Sequence, residues 1–333
     1  MKIAYYEENT YHTEIIGSFL EYFSKINADI VIYNTLDKWS AIEYFQNFCK
    51  FTVKPNTELV NEYQSFDKII IGTYENSSTD DFPRRLLHSD TSTNCSILMD
   101  KIKNIDQNKF VYICHLQNDI NLNHENIIVL TPINLINPSI KYILPIHNFI
   151  TDVVPNKNNI LTIIGRFKDK NRDTDDLVKL IKNYNHFDFC IHLFSRYKKF
   201  VPDVLFKLAN EYPNKFKIHL KTKTNILDKH LKNSKYILPL VSKHSCYHKD
   251  RLTGNIPLAY NYNVPLIIDK TLQNIYGIEN CVSYQNSLTE IIESVTKISE
   301  DEYNNLVSKM MEEKKNIISK NITTFNSIID VNK

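Results

Sequence analysis

Residues 160–184 read ILTIIGRFKDKNRDTDDLVKLIKNY and contain one complete strand, turn and helix. The apolar run 160–165 predicts a buried strand that ends at a glycine. From 174 to 184 the apolar residues recur at helical spacing, which predicts a helix packed against a sheet. The turn between them is polar and basic. A strand connected by one turn to such a helix is typical of a parallel α/β sheet.

The same alternation of short apolar runs and longer amphipathic stretches continues along the whole chain. It predicts an α/β fold with doubly wound parallel sheets. The predicted strands are 2–6, 28–33, 68–72, 109–114, 127–131, 142–144, 160–165, 187–194, 216–220, 236–241, 264–268 and 281–284. The predicted helices are 12–25, 38–49, 94–104, 174–184, 201–211, 226–233, 255–262, 287–297 and 301–320.

The two halves are separated by a Pro- and Asn-rich stretch, HNFITDVVPNKNN, at 147–159. The periodicity lapses there and restarts at 160, which indicates a domain boundary. A chain of 333 residues also exceeds the usual size of one hydrophobic core. We therefore expect an N-terminal Rossmann-like domain at 1–150, a C-terminal Rossmann-like domain at 157–300 and a long charged helix within 301–333.

Composition is typical of a globular protein, with 42% hydrophobic and 23% charged residues. No apolar run approaches the roughly 20 residues that cross a bilayer. The first residues, MKIAYYEENTYH, are acidic where a signal peptide is basic and then apolar, so we expect a cytoplasmic protein without a membrane span. The six cysteines are widely scattered, which argues against a disulfide framework.

Basic residues concentrate at 196–251, where 14 Lys and Arg accompany 4 Asp and Glu. This excess predicts an anionic ligand, and a solvated helix face is the alternative. A nucleic acid is one such ligand, but the aromatic residues of the stretch fall at strand or helix spacing and are expected in the core. We therefore predict no nucleic-acid partner, and the sequence leaves the oligomeric state open.

Four segments of the second half occur in a fixed order along the chain. They are GRFKDKNRD at 165–173, KNSKYILPLV at 232–241, LTGNIPLAYNYNVPLIID at 252–269 and NCVSYQNSLTEII at 280–292. Together they resemble the nucleotide-sugar-binding domain of GT-B glycosyltransferases, especially the C-terminal domains of glycosyltransferase families 4 and 1, over roughly 157–300. The resemblance implies two Rossmann-like domains facing one another across a cleft, with the C-terminal helix crossing back to the N-terminal domain.

The resemblance also implies an enzyme that moves a sugar from a nucleotide-diphosphate sugar to a hydroxyl acceptor. The donor is expected to be a UDP- or GDP-sugar, bound as a co-substrate without a further cofactor. The acceptor is expected to be a glycan, a protein or another hydroxyl compound. Because enzymes of this type typically stabilise the leaving diphosphate with protein groups, we expect transfer without a metal ion.

Two turns of the C-terminal half are predicted at the donor site. By the resemblance, Arg166 and Lys170, with Arg172, contact the donor diphosphate. The turn after the strand FKIHL lies where the family reads the nucleotide base, so Lys223 or Thr224 is predicted to contact base or ribose. A solvated loop is the alternative for this second turn.

A third donor segment precedes the helix at 255–262. The backbone N–H groups of Thr253, Gly254 and Asn255 lie at a helix start, where unpaired donors and a partial positive charge favour an anion. An ordinary helix cap is the alternative. Gly254 indicates close backbone approach or a positive φ, since the chain has only 5 glycines. His248 and Arg251, in the preceding loop, are predicted to join this donor site.

Acceptor-side residues are expected in the loops after the N-terminal strands, because ligands of open α/β sheets bind beyond the carboxyl ends of the strands. The histidines are predicted to accept a proton or to contact the donor sugar, and a structural role is the alternative for each. The candidates are Glu7, Glu8, His12, Glu75 and His115, with His12 and His115 predicted as catalytic.

A third catalytic residue is predicted from the resemblance alone. Retaining members of the superfamily carry two Glu separated by seven intervening residues around this helix, and Asp250 occupies the first of these positions. The second position holds Leu258, so the match is partial.

We predict no metal site. His244, Cys246 and His248 alternate within five residues, which is not the paired spacing of a zinc site. The D-x-D at Asp173 and Asp175 matches a metal-binding pattern of another glycosyltransferase architecture. Because it lies at a helix start, where acids favour the macrodipole, a capping role is predicted instead.

Two rival functions share these features. A nucleotide-sugar epimerase or hydrolase on the same scaffold would use the donor site and need no acceptor surface. A non-catalytic partner in a glycosylation complex is the second. No Walker phosphate loop, G-x-S-x-G elbow or set of kinase motifs occurs in the chain, which argues against those enzyme classes.

Overall fold

The structure is a computed structural model of the 333-residue chain. It forms two compact units, and unit 1 takes residues from both ends of the chain. Unit 1 comprises Met1–Pro145 and Ile318–Lys333, and unit 2 comprises Ile146–Ile317. The residues that the structure describes are 1–7, 13–34, 42–74, 107–115, 126–133, 140–151, 158–167, 171–249 and 251–329.

Unit 1 contains, among its described residues, a seven-stranded parallel sheet. Its strands are β1 (Lys2–Glu7), β2 (Asp29–Asn34), β3 (Thr52–Pro55), β4 (Lys68–Tyr74), β5 (Phe110–Cys114), β6 (Ile127–Val129) and β7 (Lys141–Tyr142). The spatial order is β3-β2-β1-β4-β5-β6-β7, and neighbouring strands are parallel. The chain therefore winds outward from β1 in one direction and from β4 in the other.

Aromatic packing attaches the first helix to this sheet. Among the described residues before 145, the helices are α1 (Thr13–Lys25), α2 (Ile42–Phe45) and α3 (Leu59–Glu62). The ring of Tyr5 on β1 lies 5.8 Å from that of Phe19 and 6.2 Å from that of Phe23, between centroids. All three side chains are fully buried, so the apolar stripe predicted for this helix faces the core.

Unit 2 contains a second parallel sheet in the order β10-β9-β8-β11. A bridge between Ile237 and Leu266 connects β11 to a further parallel pair. The strands are β8 (Ile160–Ile164), β9 (Cys190–Ser195), β10 (Phe216–Leu220), β11 (Tyr236–Ile237), β12 (Ile267–Asp269) and β13 (Val282–Tyr284). One face of β8, β9 and β10 supplies buried apolar side chains to the core of this unit.

Helices alternate with these strands, as in a doubly wound fold. They are α4 (Thr174–Asn183), α5 (Asp203–Glu211), α6 (Thr224–Asn233), α7 (Asn255–Tyr262), α8 (Lys270–Tyr276), α9 (Ile292–Lys297) and α10 (Glu300–Ile329). The last helix has 30 residues and belongs to both units, because the division falls at Ile318 within it.

The predicted fold class is confirmed: the chain is α/β, with parallel sheets in two Rossmann-like units. The predicted strand 236–241 is too long. The strand ends at Ile237, and the N–H of Leu238 makes one further bond to the carbonyl of Thr162 on β8 at 2.8 Å. Pro239 then has no N–H for a ladder, and Leu240 adopts a positive φ of 50°.

Three elements were not predicted, and the first is the single-turn helix α3 (Leu59–Glu62), whose four residues are too few to show helical periodicity. The edge strand β3 reads TVKP, which is short and polar, and its proline is tolerated because it lies at a sheet edge. Helix α8 follows β12 directly, with Asp269 as its N-cap. No turn residues separate the strand from the helix, so the sequence gives no boundary signal. The predicted helix 94–104 lies outside the described residues, and of 38–49 only Ile42–Phe45 is described as helix.

Candidate functional site

The connections of unit 2 diverge at the carboxyl ends of β8 and β11, and this point is called the crevice below. From β8 the chain proceeds outward through β9 and β10, and then returns to β11 on the other side of β8. The connections after the two central strands therefore diverge, which is the point where open α/β sheets bind ligands. The turn after β8 begins at Gly165, and the turn after β11 contains Pro239.

In the turn after β8, the residues on either side of the exposed Arg166 are held by backbone hydrogen bonds. Gly165 has a φ of 127°, which side-chain-bearing residues rarely adopt. Its N–H donates to the carbonyl of Phe194 at 3.0 Å, and the N–H of Phe167 donates to that of Phe200 at 2.9 Å. The guanidinium of Arg166 lies 4.9 Å from the ring centroid of Phe200. A cation is thus fixed at the crevice, whereas Lys170 lies outside the described residues.

Arg172 lies beneath the crevice and is buried, with 4% of its surface exposed. Its Nη1 donates to the carbonyl of Pro239, and its Nη2 donates to the carbonyl of Ile164 at 3.1 Å. The guanidinium also lies 5.2 Å from the ring centroid of Tyr247. The structure therefore uses Arg172 to join the ends of β8 and β11.

The start of α7 is tied to the same strand end. Asn255 donates from Nδ2 to the carbonyl of Ile164 at 2.9 Å and accepts at Oδ1 from the N–H of Ile164 at 3.3 Å. Within the described residues, the N–H groups of Thr253, Gly254 and Asn255 have no hydrogen-bond acceptor. The φ of Gly254 is −58°, so the predicted alternative of a positive φ is wrong. Unpaired donors at a helix start beside a cationic turn favour an anion.

The loop before α7 closes this cluster. Cys246 Sγ lies 3.5 Å from Asn171 Oδ1, and His248 Nε2 lies 3.1 Å from Asp269 Oδ1 at the end of β12. Arg251 is exposed, and its carbonyl accepts from Tyr276 Oη at 3.5 Å. Asp250, the predicted catalytic residue between them, lies outside the described residues.

The predicted base-reading turn stands apart from these contacts. Lys223 and Thr224 are exposed at the start of α6, and the carbonyl of Lys223 accepts from the N–H groups of Ile226 and Leu227. Lys221, two residues earlier, has a φ of 52° and donates its N–H to the carbonyl of Ser195. The turn is thus at the carboxyl edge of β10, two strands from β8.

In unit 1 the corresponding divergence lies between β1 and β4. Glu7 ends β1 and is 1% exposed, and a Cβ added to Gly72 on β4 would lie 2.6 Å from its Oε2. Asn34, the partner of Glu7 on β2, donates from Nδ2 to the carbonyl of Glu7 at 2.7 Å. His115 follows β5 and is buried. Of the other acceptor-side candidates, His12, Glu8 and Glu75 lie outside the described residues.

The prediction that the D-x-D is a helix start is confirmed for its first member. Asp173 caps α4, and its Oδ1 accepts from the N–H of Asp176 at 3.0 Å. Within the described part of the chain, no group of three or more His, Cys, Asp or Glu side chains is arranged to hold a metal ion. No described helix is both long and apolar enough to cross a membrane.

Sequence reasoning missed Asn171, Tyr247 and the carbonyl of Pro239 as parts of this cluster. These residues meet through contacts 67 to 75 positions apart in the chain. The only local signal is the order NRD at 171–173, directly before the cap of α4. A sequence pattern within one turn gives no indication of such long-range partners.

Comparisons with solved structures agree with this architecture over the full chain. A glycosyltransferase from Rickettsia africae is 11% identical, with a TM-score of 0.62 and coverage of 100% of this chain and 99% of that one. Anabaena HepE in complex with UDP-glucose is 11% identical, with a TM-score of 0.61 and coverage of 99% and 100%. An alpha-glucosyltransferase in complex with UDP-glucose and abasic-site DNA is 10% identical, with a TM-score of 0.58 and coverage of 100% and 99%.

No protein-family model matches the chain, and no curated protein matches it in sequence. At 10–11% identity the likeness concerns the fold. This likeness extends over 99–100% of this chain and of each of the three structures, and so includes both Rossmann-like units. The chain therefore has the GT-B fold, the fold of the glycosyltransferases to which it is similar.

Proposed function

We propose that this protein is a glycosyltransferase that takes a sugar from a nucleotide-diphosphate donor, a UDP- or GDP-sugar. The observation that carries the proposal is the crevice of unit 2, where β8, β11 and the start of α7 converge. It combines the exposed cation of Arg166 with unpaired N–H groups at 253–255. Such a site suits a diphosphate, and the UDP-glucose named with two of the similar structures is a molecule of this class.

The chemistry needs stabilisation of a leaving diphosphate, because negative charge develops on it as the glycosidic bond breaks. Arg166 is an exposed cation at this crevice, packed on the ring of Phe200, and we propose Lys170, His248 and Arg251 as further donor groups. Lys223 or Thr224 at the start of α6 is proposed to contact the base or ribose.

The acceptor hydroxyl must be positioned and must lose a proton. We propose His12, His115 and Asp250 for the catalytic roles predicted from the sequence. His115 is buried directly after β5, the strand next to β4, at the carboxyl edge of the unit 1 sheet. A glycan or a protein is the proposed acceptor. The similar structures are described as transferases, so the epimerase or hydrolase alternative gains no support from them.

Ligand-induced stabilisation tests the donor proposal directly. Wild-type protein is heated with UDP, GDP, UDP-glucose and a GDP-sugar, and a ligand that binds only the native state raises the melting temperature. We expect one nucleotide series to stabilise the protein. Arg166→Ala should weaken diphosphate binding by about 1–2 kcal/mol, since solvent screens an exposed cation.

Lys207→Ala is the matched control, because Lys207 is an exposed cation on α5 in the same unit. It should bind like wild type. Absence of stabilisation by every nucleotide in the panel would refute the donor site. Hydrolysis of the donor at full rate without any acceptor would favour the hydrolase instead.

A further inference from the structure

Three histidines of unit 2 meet between helix α6 and its sheet. His219 Nε2 on β10 lies 3.0 Å from His192 Nδ1 on β9, so one ring donates and the other accepts. The ring of His230 on α6 stacks on that of His192, with 4.4 Å between centroids. Phe194 on β9 completes the group, 4.5 Å from the ring of His219 and 4.6 Å from that of His230. The helix thus packs on the sheet through rings that can take up protons.

These rings carry a large share of the contact between α6 and the sheet. All ten residues of α6 are described, and among them Leu231 alone is buried. The carboxyl end of the helix is tied separately, because Ser234 Oγ donates to the carbonyl of His230 at 2.9 Å and lies 2.6 Å from Thr162 Oγ1 on β8. The amino end has no side-chain cap, and Ile226 in its first turn is 54% exposed. The start of α6 is therefore held mainly through His230 and Leu231.

The charges around the three rings oppose their protonation. The positive charge of Lys217 on β10 acts on the two strand histidines, and charged histidines would also repel one another. On α6, the carboxylate of Asp228 pairs with Lys232 at 3.1 Å and accepts from Tyr262 Oη on α7 at 3.1 Å. Lys229 on the same helix is exposed and positive. In the described part of the chain, no carboxylate pairs with any of the three imidazoles.

Protonation is therefore incompatible with this packing. Burial lowers the pKa of His192 to about 3 and that of His230 to about 4, and it also lowers the pKa of His219. His230 Nε2 is buried without a hydrogen-bond partner among the described residues, so a proton at that atom finds no acceptor. Once α6 leaves the sheet, the rings regain water and an ordinary pKa of about 6.5. Release of the helix thus takes up protons, and low pH favours it.

We propose that the three histidines form a pH-sensitive latch, which holds the base-reading turn at the start of α6 in place only while the rings are neutral. This inference rests on the proposed function, which assigns Lys223 or Thr224 at that turn to the base or ribose. Thr224 and His230 belong to the same helix of ten residues, so release of the ring also frees the turn. At low pH the donor site then loses its contacts with the nucleoside, while the crevice at β8 and β11 keeps its own.

Hydrogen exchange of the full chain tests the latch without a ligand. Protection factors, which correct for the direct effect of pH on exchange, are measured for the amides of α6 and α4 at pH 7.5 and pH 5.0. We expect the factors of α6 to fall by at least about 10-fold at pH 5.0, because each histidine that burial keeps neutral opposes packing by up to about tenfold per pH unit below 6.5. They should then also lie at least about 10-fold below those of α4, since release of one helix precedes unfolding of the unit.

A variant of the helix histidine isolates the titrating ring. His230→Leu keeps an apolar contact, so the fall in α6 protection at pH 5.0 should shrink about tenfold. His244→Gln, at an exposed histidine in the same unit, should exchange like wild type. No fall in wild type, or a fall of the same size in His230→Leu, would overturn the latch. If the leucine variant does not fold, His230→Phe takes its place, and the wild-type comparison of α6 with α4 decides where neither folds.

Binding measurements show whether the latch reaches the donor site. Calorimetry measures UDP, GDP and inorganic pyrophosphate on wild type and His230→Leu at both pH values. The ratio of the two dissociation constants cancels the titration of the ligand itself. We expect the nucleoside diphosphate to bind the two proteins within about threefold of one another at pH 7.5, and to bind wild type about 10-fold more weakly than the variant at pH 5.0. Pyrophosphate, which has no base, should bind both proteins alike at each pH.

The other outcomes separate the latch from the proposed function. An equal loss of pyrophosphate affinity would show that low pH affects the whole donor site, which contradicts a latch at one turn. Loss of α6 protection without loss of nucleoside-diphosphate affinity would contradict it as well. Failure of wild type to bind UDP and GDP at pH 7.5 would instead refute the proposed function, and hydrogen exchange would still decide whether the histidines hold α6.

Discussion

At the scale of single residues, Gly72 leaves space for the side chain of Glu7 because it has no Cβ. A Cβ on residue 72 would lie 2.6 Å from Oε2 of Glu7 and 2.9 Å from Oη of Tyr5. Both neighbours are buried, so neither can swing into solvent at little cost. Gly72→Ala should therefore destabilise the protein by about 1–3 kcal/mol, measured by denaturant unfolding.

Gly277 provides the control for Gly72, because a Cβ there meets nothing within 4 Å. Its φ of 62° still makes Ala unfavourable, at about 1 kcal/mol from backbone strain alone. A Gly72→Ala variant as stable as wild type would show that the carboxylate can leave its buried position.

Substitution of Asp173 and Asp175 distinguishes a helix-capping role of these residues from a metal-binding role. Asp173 accepts a hydrogen bond from the first turn of α4, while Asp175 is exposed within that turn. Asp173→Ala should cost about 1 kcal/mol in the free energy of unfolding, and Asp175→Ala only a few tenths. Sugar transfer should persist in EDTA for wild type and for both variants. Loss of transfer in EDTA and recovery with manganese would contradict the capping assignment as a full account of the D-x-D.

At the scale of elements, α6 packs on the unit 2 sheet through imidazole rings. His219 Nε2 on β10 lies 3.0 Å from His192 Nδ1 on β9. The ring of His230 on α6 lies 4.4 Å from that of His192 and 4.6 Å from that of Phe194, between centroids. The positive charge of Lys217 on β10 also disfavours protonation of His192 and His219. This interface therefore requires neutral histidines.

Acid should loosen this interface. Burial lowers the pKa of His192 to about 3 and that of His230 to about 4, and it also lowers the pKa of His219. Because the unfolded chain takes up these protons near pH 6.5 and the folded chain does not, stability is full above pH 6.5 and falls as the pH drops toward 4. The loss is at most about 1.4 kcal/mol per pH unit for each histidine.

Denaturant unfolding between pH 4 and pH 8 checks this dependence. His230→Leu removes one titrating ring and should flatten the slope below pH 6.5. His244→Gln changes an exposed histidine and should leave the slope as in wild type. Identical slopes for all three proteins would show that the cluster does not control acid stability.

Local periodicity predicted the elements of unit 2 well, because each strand and its helix are encoded within about 25 residues. The turn GRFKDKNRD was correctly placed after a strand and before a helix at the carboxyl edge of the sheet. The depth of each side chain was not predictable. Arg166 and Arg172 look alike in the sequence, but the first is exposed and the second is buried by contacts with Pro239 and Tyr247, far along the chain.

At the scale of the whole molecule, the last helix belongs to both units and gives each a separate set of contacts. In unit 2, Tyr303 donates from Oη to the carbonyl of Lys235 at 2.8 Å. In unit 1, Asn321 donates from Nδ2 to Tyr22 Oη at 2.9 Å and to the carbonyl of Leu144 at 2.7 Å. Unit 1 is therefore completed by residues that come some 170 positions after the rest of it.

A substitution at Phe325 tests whether unit 1 can be destabilised without a loss of donor binding by unit 2. It is fully buried, and its ring lies 5.5 to 5.8 Å from those of Phe19, Tyr22 and Phe23 on α1, all in unit 1. Phe325→Ala should destabilise unit 1 by about 3–5 kcal/mol, measured by denaturant unfolding, because it removes a large ring from a packed aromatic cluster. Since the proposed donor groups described above belong to unit 2, the affinity for the nucleoside diphosphate should stay within about twofold of wild type under native conditions. Parallel loss of diphosphate affinity and stability in this variant, with native secondary structure retained, would show that donor binding is not a property of unit 2 alone.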